Sequence, residues 1–334
     1  MVKVVRFYEF GGPEVLRLED HDPETPGPGE VLIDVEAIGL NRSEVNFRRD
    51  RYFDHAQSLP AGLGYEGAGR VRAAGADVDG WLPGDAVSVI PLFKQSRYPM
   101  YGEQAIVPAK SLVARPSSVS AVTGAAMWMP YLTAYGALVD IGRLRAGDHV
   151  IISAASTSVG LAAIQVAVRA GAVPVALTQD PTQRQRLLDA GAAHVLVAEH
   201  DDTTTSILDL TRGKGAEMVF DAVAGPGVEA LAAATAQDGV IFIHGGLSGQ
   251  PTPLPGLSDM RPIFTRPYMV FEITGNTERL ARAQRYVTTG ITSGALTPTI
   301  DSIFELDDIV EAHRRLESGT QFGKIVVTTT KTKD

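Results

Sequence analysis

The chain has 334 residues, 44% hydrophobic and 21% charged, a length of roughly two domains at about 150 residues apiece and a composition that excludes a disordered chain. Its 30 Lys and Arg stand against 39 Asp and Glu for a net charge of −9, with no basic tail or block, which argues against nucleic-acid and anionic-membrane binding. The absence of cysteine excludes disulfides, Cys nucleophiles, iron–sulfur clusters and thiolate-bound zinc, and suits a cytoplasmic enzyme.

The opening run MVKVVRFYEFGG alternates like a first strand and lacks the apolar stretch and cleavage site of a signal peptide. Strands are predicted at 2–7, 30–40, 68–75, 85–90 and 102–109, punctuated by Gly11-Gly12, Pro28-Gly29 and Pro83-Gly84. Residues 1–121 therefore read as a β-rich domain rather than as repeating βα units. Residues 116–139 and 149–168 contain no Asp, Glu, Lys or Arg, but their prolines, glycines and short β-rich pieces suit buried parts of an α/β protein better than a membrane span. From 149 onward apolar strands (149–155, 173–178, 194–199, 217–225, 240–246) alternate with helical patterns (159–170, 183–191, 205–213, 228–236). That alternation predicts a doubly wound parallel sheet within 122–290. The stretch from 247 through Pro267 reads as loop, 278–290 and 308–319 as helices, and 323–329 as a strand. Residues 291–334 are expected to return to the first domain, which is then discontinuous.

The most informative segment is 150–160, VIISAASTSVG, a strand, a turn of small residues and a helix start. In G-x-G-x-x-G, small residues let a pyrophosphate approach backbone N–H groups at a helix N-terminus. Here the three positions are Ala155, Thr157 and Gly160, and only the last is glycine. The hydroxyls of Ser156, Thr157 and Ser158 leave the backbone accessible and add donors, although an ordinary capped helix after a strand is the plainer reading of the same turn. No G-K-[ST] follows, which argues against a P-loop ATPase.

Taken with LNRSEVNFRR at 40–49, LGYEGAGRV at 63–71, WLPGDAVSV at 81–89, YGEQAIVPA at 101–109, YLTAYGAL at 131–138, AASTSVGLAAIQVA at 154–167, VFDAVAGPGVEAL at 219–231 and FGKIVV at 322–327, the chain resembles the medium-chain dehydrogenase/reductase superfamily, in its zinc-independent quinone oxidoreductase-like branch. The resemblance implies a Rossmann doubly wound parallel sheet plus a discontinuous, GroES-like catalytic domain. It also implies a homodimer. In zinc-dependent relatives a Cys stands where Asn41 is found and a His where Tyr65 precedes Glu66, so zinc is expected to be absent. The seven histidines (21, 55, 149, 194, 200, 244, 313) show no ligand spacing and read as surface or packing residues.

The resemblance implies cofactor contacts from Asn41 and Thr133, from Ser156, Thr157, Ser158 and Val159 at the pyrophosphate, and from Val223, Gly245, Gly246, Leu247, Phe271 and Lys324. Thr178 stands where NAD-dependent relatives carry the acid that grips the ribose diol, and Thr178, Gln179 and Arg184 are candidate neighbours of a 2′-phosphate. NADP is therefore favoured over NAD. Gln179 and Gln183 are neutral where close relatives tend to carry Arg and Lys, and Asp180 is nearby, which leaves a relaxed preference open.

Without a metal to polarise a simple ketone, quinones and activated alkenes are the more plausible hydride acceptors. A pocket at the domain cleft is expected near Asn41, Asn46, Arg48, Tyr52, Tyr65, Trp128 and Met129. Tyr52, Asn46 and Arg48 are the catalytic candidates. Tyr52 is suited to hydrogen-bond a carbonyl oxygen or deliver a proton, with delivery by water as the alternative, whereas Asn46 replaces a Tyr of some quinone reductases and Arg48 reads as a solvated surface residue ahead of a substrate contact. Two alternatives are an alcohol or aldehyde dehydrogenase and a non-catalytic nucleotide-binding protein with a structural or RNA-associated role.

Overall fold

The computed structural model describes residues 1–198, 200–256 and 260–329. The last residue of the strand expected at 194–199, part of the loop expected before Pro267, and 330–334 of the expected return segment lie outside the described residues.

In chain order, β1 is Val2–Phe7, β2 Leu16–His21 and β3 Glu30–Gly39, followed by helix α1, Arg42–Arg48. Then come β4 (Gly67–Ala74), β5 (Ala86–Val89), β6 (Gln104–Pro108), β7 (Leu112–Ala114), α2 (Ala121–Ala126) and α3 (Trp128–Tyr135). The alternating series is β8 (His149–Ile152), α4 (Ser158–Arg169), β9 (Val173–Thr178), α5 (Arg184–Asp189), β10 (His194–Val197), α6 (Thr203–Leu210), β11 (Ala216–Asp221), α7 (Val228–Ala233), β12 (Thr235–Ile243) and β13 (Phe264–Pro267). It closes with α8 (Phe271–Thr274) and α9 (Thr277–Thr292), and the chain ends with β14 (Ile300–Glu305), α10 (Ile309–Glu317) and β15 (Lys324–Thr328).

The contacts divide the chain into one unit of 1–129 with 298–334 and a second of 130–297. Both boundaries fall a few residues after those expected at 121/122 and 290/291. The physical reason for the first is α2, whose small buried residues Gly124, Ala125 and Ala126 pack with Ala37, Ala68 and Val326 of the first unit's sheet. At Gly39 a Cβ would stand only 1.9 Å from the Ala125 carbonyl oxygen, so the end of β3 meets the backbone of α2 where no side chain fits. The second boundary moves because α9 runs on to Thr292, and Gln165 of α4 hydrogen-bonds both the N–H and the carbonyl of Thr297.

In the first unit, β14-β15-β3-β4-β5-β7 form one sheet, with β6 also on β3 and β1 paired separately with β2. The expected return is present: β15 pairs antiparallel with β3, with Val326 opposite Gly39 and Thr328 opposite Ala37. It brings a strand that the sequence pattern did not reveal, since β14 lies parallel to β15 through the crossover helix α10. On α10 the buried residues Ile309, Ala312, His313 and Leu316 recur with helical spacing and form one face.

The second unit's sheet has the order β10-β9-β8-β11-β12-β13, with every pair parallel. Counted within this unit the strand order is 3-2-1-4-5-6, that of the dinucleotide-binding doubly wound fold. Its strands read as nearly continuous apolar runs because both faces are covered, with Ile151, Val175, Val219 and Ile241 in one core with Ile207, Val228 and Leu231 of the helices. The edge strand β13 lies in the stretch expected to be loop; its four residues are half-buried or exposed and carry no apolar alternation. Among the described residues, no helix is long and apolar enough to cross a membrane.

For one of the seven histidines the fold decides between a surface and a packing role. His313 is fully buried, its Nε2 3.2 Å from the Tyr101 hydroxyl, and burial beside the Arg48 guanidinium pushes its imidazole down to about 3. The folded pKa lies below the ordinary 6.5, so this contribution to stability is fully present above pH 6.5 and is lost as pH falls toward 3. Between pH 7 and pH 5 the His313→Gln variant should lose less unfolding free energy than the unaltered protein, by about 2 kcal/mol in urea titrations; equal losses would contradict the assignment.

Candidate functional site

In the second unit the turn from β8 into α4 lies where the strand order reverses, at the carboxyl ends of β8 and β11. Thr157 caps α4, its hydroxyl accepting the Gly160 N–H at 3.1 Å and donating to the Ala154 carbonyl at 2.9 Å. The Thr157 carbonyl takes the Leu161 N–H, so the first-turn amides of Ser158 and Val159 are the ones left to face an anion. Gly160 is required by close approach: a Cβ there would lie 2.7 Å from Ala154 O and from the Ala155 backbone. This cradle fits a dinucleotide pyrophosphate although the first two positions of the motif are Ala155 and Thr157.

A buried carboxylate ties the two strand ends together. Asp221 accepts the Ser153 hydroxyl at 2.6 Å and the amides of Val223 and Ala224, both at 2.9 Å, while the Ala222 N–H donates to Ser153 Oγ at 2.8 Å. The loop after β12 lies along the same turn, with Leu247 N donating to the Ala222 carbonyl and Ser248 N to that of Val223. Val223, Gly245, Gly246 and Leu247 thus lie in two loops bonded to one another beyond the carboxyl ends of β11 and β12. At the end of β9, Thr178 is buried and its hydroxyl bonds Gln183 Oε1 at 3.2 Å, whereas Gln179 is exposed and Arg184, also exposed, is 3.4 Å from Asp201. The Asp180 carboxylate is occupied by Thr182, whose hydroxyl and N–H hold it below its usual range. Thr133 lies buried on α3 and Phe271 opens α8.

In the first unit, Asn41 and Lys324 meet. The buried Lys324 Nζ donates to Asn41 Oδ1 at 2.6 Å and to Glu66 Oε2 at 2.7 Å. The other Glu66 oxygen accepts the N–H groups of Trp128 and Met129 at 2.7 and 2.8 Å, placing a carboxylate on the N-terminus of α3. Asn41 spends its Nδ2 on the Gly39 carbonyl (3.0 Å) and on Glu44 Oε1 (3.3 Å), and its N–H on Glu44 Oε2 (2.8 Å). Burial pushes the Glu44 carboxyl up to about 7 against the pull of Lys324.

The catalytic candidates separate. Tyr52 is half-buried beside Tyr65, their hydroxyls hydrogen-bonded, and burial raises both phenols above their usual range. Asn46 is half-buried on α1. Arg48 is fully buried, its guanidinium on Glu317 and, at 2.6 Å, on the Gly11 carbonyl, so it anchors α1 to α10. Trp128 and Met129 are buried in the core. Reading by motif gave no role to Glu44, Asp54, Glu66 or Asp221; Asn41-x-x-Glu44 carried a usable signal, the spacing of a capping box.

Zinc does not suit this donor set. The Asn41 and Glu66 oxygens already hold an ammonium, which has no lone pair to offer and would repel a metal cation, and among the described residues no three His, Cys, Asp or Glu side chains group to hold a metal ion.

Residues 27–134 match the family model described as alcohol dehydrogenase GroES-like domain, and 190–327 that described as zinc-binding dehydrogenase. The chain is similar to the quinone oxidoreductase of Pseudomonas aeruginosa, 29% identical over 98% of this chain and 99% of that one. It is similar in structure to a quinone oxidoreductase from Pseudomonas syringae pv. Tomato DC3000 (27% identity, TM-score 0.90, 98% of this chain and 100% of that one). The Escherichia coli quinone oxidoreductase complexed with NADPH is also similar (25% identity, TM-score 0.90, the same coverages). The chain belongs to the medium-chain dehydrogenase/reductase superfamily, in its zinc-independent quinone oxidoreductase-like branch. It is an NAD(P)H-dependent oxidoreductase.

Removing the ammonium leaves the Glu66 carboxylate buried beside an apolar stem. Lys324→Met should therefore lose about 3 kcal/mol of unfolding free energy in a urea titration, and an unchanged midpoint would show that the pair is not a net constraint.

Proposed function

We propose that this oxidoreductase reduces quinones or activated alkenes, and that it takes NADPH in preference to NADH. The observation that carries the acceptor class is the Lys324 ammonium held between Asn41 and Glu66. A chain with that donor set has no Lewis acid of its own for a simple ketone or alcohol, so an acceptor whose conjugation delocalises the charge of hydride addition suits it best. The preference for NADPH is supported by Thr178, a neutral residue at the end of β9, with Arg184 exposed nearby.

NADPH supplies the hydride when bound. The Ser158 and Val159 amides at the start of α4 receive the pyrophosphate, and Val223 with Gly245–Leu247 lines the path beside it. Ser156, Thr157, Thr133, Phe271, Asn41, Lys324 and Gln179 complete the proposed cofactor set, the buried Asn41 and Lys324 by fixing one another. The Tyr52 hydroxyl donates to the acceptor's oxygen; a phenol kept protonated by burial is a hydrogen-bond donor across the working pH range. Asn46 adds an amide on the same element that starts at Asn41, and Arg48 keeps that element in place. We further propose a cytoplasmic homodimer, for which the open edge at β13 and its exposed Phe264 offer a pairing surface.

The test is turnover of NADPH and of NADH with a 1,4-quinone and with a small enone, recording product mass. A quinol or a saturated ketone formed with NADPH is the expected result; oxidation of alcohols alone, or no turnover with any acceptor, would contradict it. In the same assay Thr178→Asp should lower kcat/KM for NADPH about tenfold or more, by placing a carboxylate against the 2′-phosphate, while sparing NADH. An equal effect on both cofactors would refute the placement of the phosphate.

A further inference from the structure

Behind Tyr52 lies a short polar chain that ends in a buried carboxylate. Asp54 is 1% exposed; its Oδ1 accepts the Ser96 hydroxyl at 2.6 Å and its Oδ2 accepts the Ser96 N–H at 3.2 Å. Those two donors fix the carboxylate from the far side. Toward the site, Asp54 Oδ2 faces the Tyr65 hydroxyl at 3.5 Å, a long hydrogen bond. Tyr65 has no exposed surface, its ring is packed 5.9 Å from that of Phe93 and 6.3 Å, edge-on, from that of Tyr52, and its hydroxyl is bonded to the Tyr52 hydroxyl. A phenol owns one proton, and this one has two acceptors within reach.

We propose that Tyr65 and Asp54 are positioning residues for proton delivery: Tyr65 shares its hydroxyl proton between the Asp54 carboxylate and the Tyr52 oxygen, and turns it to Tyr52 when Tyr52 protonates the reduced acceptor. The inference rests on the reductase reading above and on Tyr52 meeting the acceptor's oxygen. With an enone, hydride addition at the β-carbon leaves an enolate. The Tyr52 O–H bond breaks, the enolate oxygen's electron pair forms the new O–H bond, and the enol rearranges to the saturated ketone. The negative charge passes to the Tyr52 oxygen, where the Tyr65 O–H meets it, and solvent returns the proton to the half-buried Tyr52.

The electrostatics set the two residues against one another: Asp54 holds the Tyr65 hydroxyl in place, but its charge opposes the build-up of negative charge that the Tyr65 O–H stabilises. The carboxylates of Asp54 and Glu44 disfavour a negative charge on Tyr52, whereas its hydrogen bond with Tyr65 favours one. Loss of the Tyr65 hydroxyl and loss of the Asp54 charge should therefore move the proton step in opposite directions, a pattern that loosened packing does not produce.

The experiment measures enone reduction in H2O and in D2O for the unaltered enzyme and for Tyr65→Phe, Asp54→Asn and Tyr52→Phe, with NADPH affinity read by fluorescence titration. Tyr65→Phe, which keeps the ring, should lower kcat about tenfold with enone KM and NADPH affinity little changed, as loss of one charge-assisted hydrogen bond in the transition state predicts. It should also raise the ratio of kcat in H2O to that in D2O, and Asp54→Asn should reduce that ratio. Unchanged kcat and isotope effect in Tyr65→Phe, or shifts of the same sign in both variants, would overturn the inference. So would full activity in Tyr52→Phe, with the reductase reading intact. Absence of turnover in the unaltered enzyme would instead remove the reductase reading, and this inference with it.

Discussion

An ammonium buried among protein groups must be met by acceptors, and the first unit is arranged around that requirement at Lys324. Glu66 precedes β4, Asn41 stands between β3 and α1, and Lys324 begins β15, so the pair of bonds at Nζ joins three distant parts of the chain. Each partner then settles a further element. Glu66 holds the first amides of α3, and Asn41 with Glu44 starts α1, the helix that leads to Tyr52. The return of the C-terminal strand is thus more than sheet completion: it delivers the cation without which Glu66 would be an uncompensated charge.

The second unit solves a different problem, the approach of a large anion to backbone. It does so with absent side chains and shared hydroxyls. Gly160 lets α4 close on the turn after β8, and the Thr157 hydroxyl saturates one first-turn amide while leaving those of Ser158 and Val159. Asp221 and Ser153 lock the ends of β11 and β8 to one another, so the turn is held by a network that never needs to touch the ligand. Preformed amides at a helix start cost little reorganisation on binding, and a chain with one glycine of the usual three keeps that geometry.

Much of this was legible in the sequence, and what was not shares a cause. The strand predicted at 173–178 is β9 with the same ends, and the helix at 159–170 and the returning strand at 323–329 differ from α4 and β15 by a residue or so. Each is carried by local apolar periodicity or by a turn motif. Periodicity is silent where the partner is remote: nothing near Glu66 announces Lys324, and nothing near Arg48 announces Glu317 on α10. β13 and β14 were missed because short, half-exposed strands carry no alternation, and α2 was assigned to the second unit because a run of small residues does not say which sheet it packs on. Of the candidate site, the strand, turn and helix start at 150–160 could be read directly, whereas Tyr65 gained its setting only when the fold brought Asp54 and Ser96 behind it.

The central claim is hydride transfer to a conjugated acceptor by a site whose built-in cation is an ammonium. It is tested most directly by turnover of an enone with NADPH deuterated at C4, on enzyme dialysed against a strong chelator. The account predicts undiminished turnover and a saturated ketone carrying a single deuterium at the former β-carbon when the transferred position is the labelled one. Loss of activity that zinc restores, or a product without deuterium from either C4-labelled epimer, would contradict it.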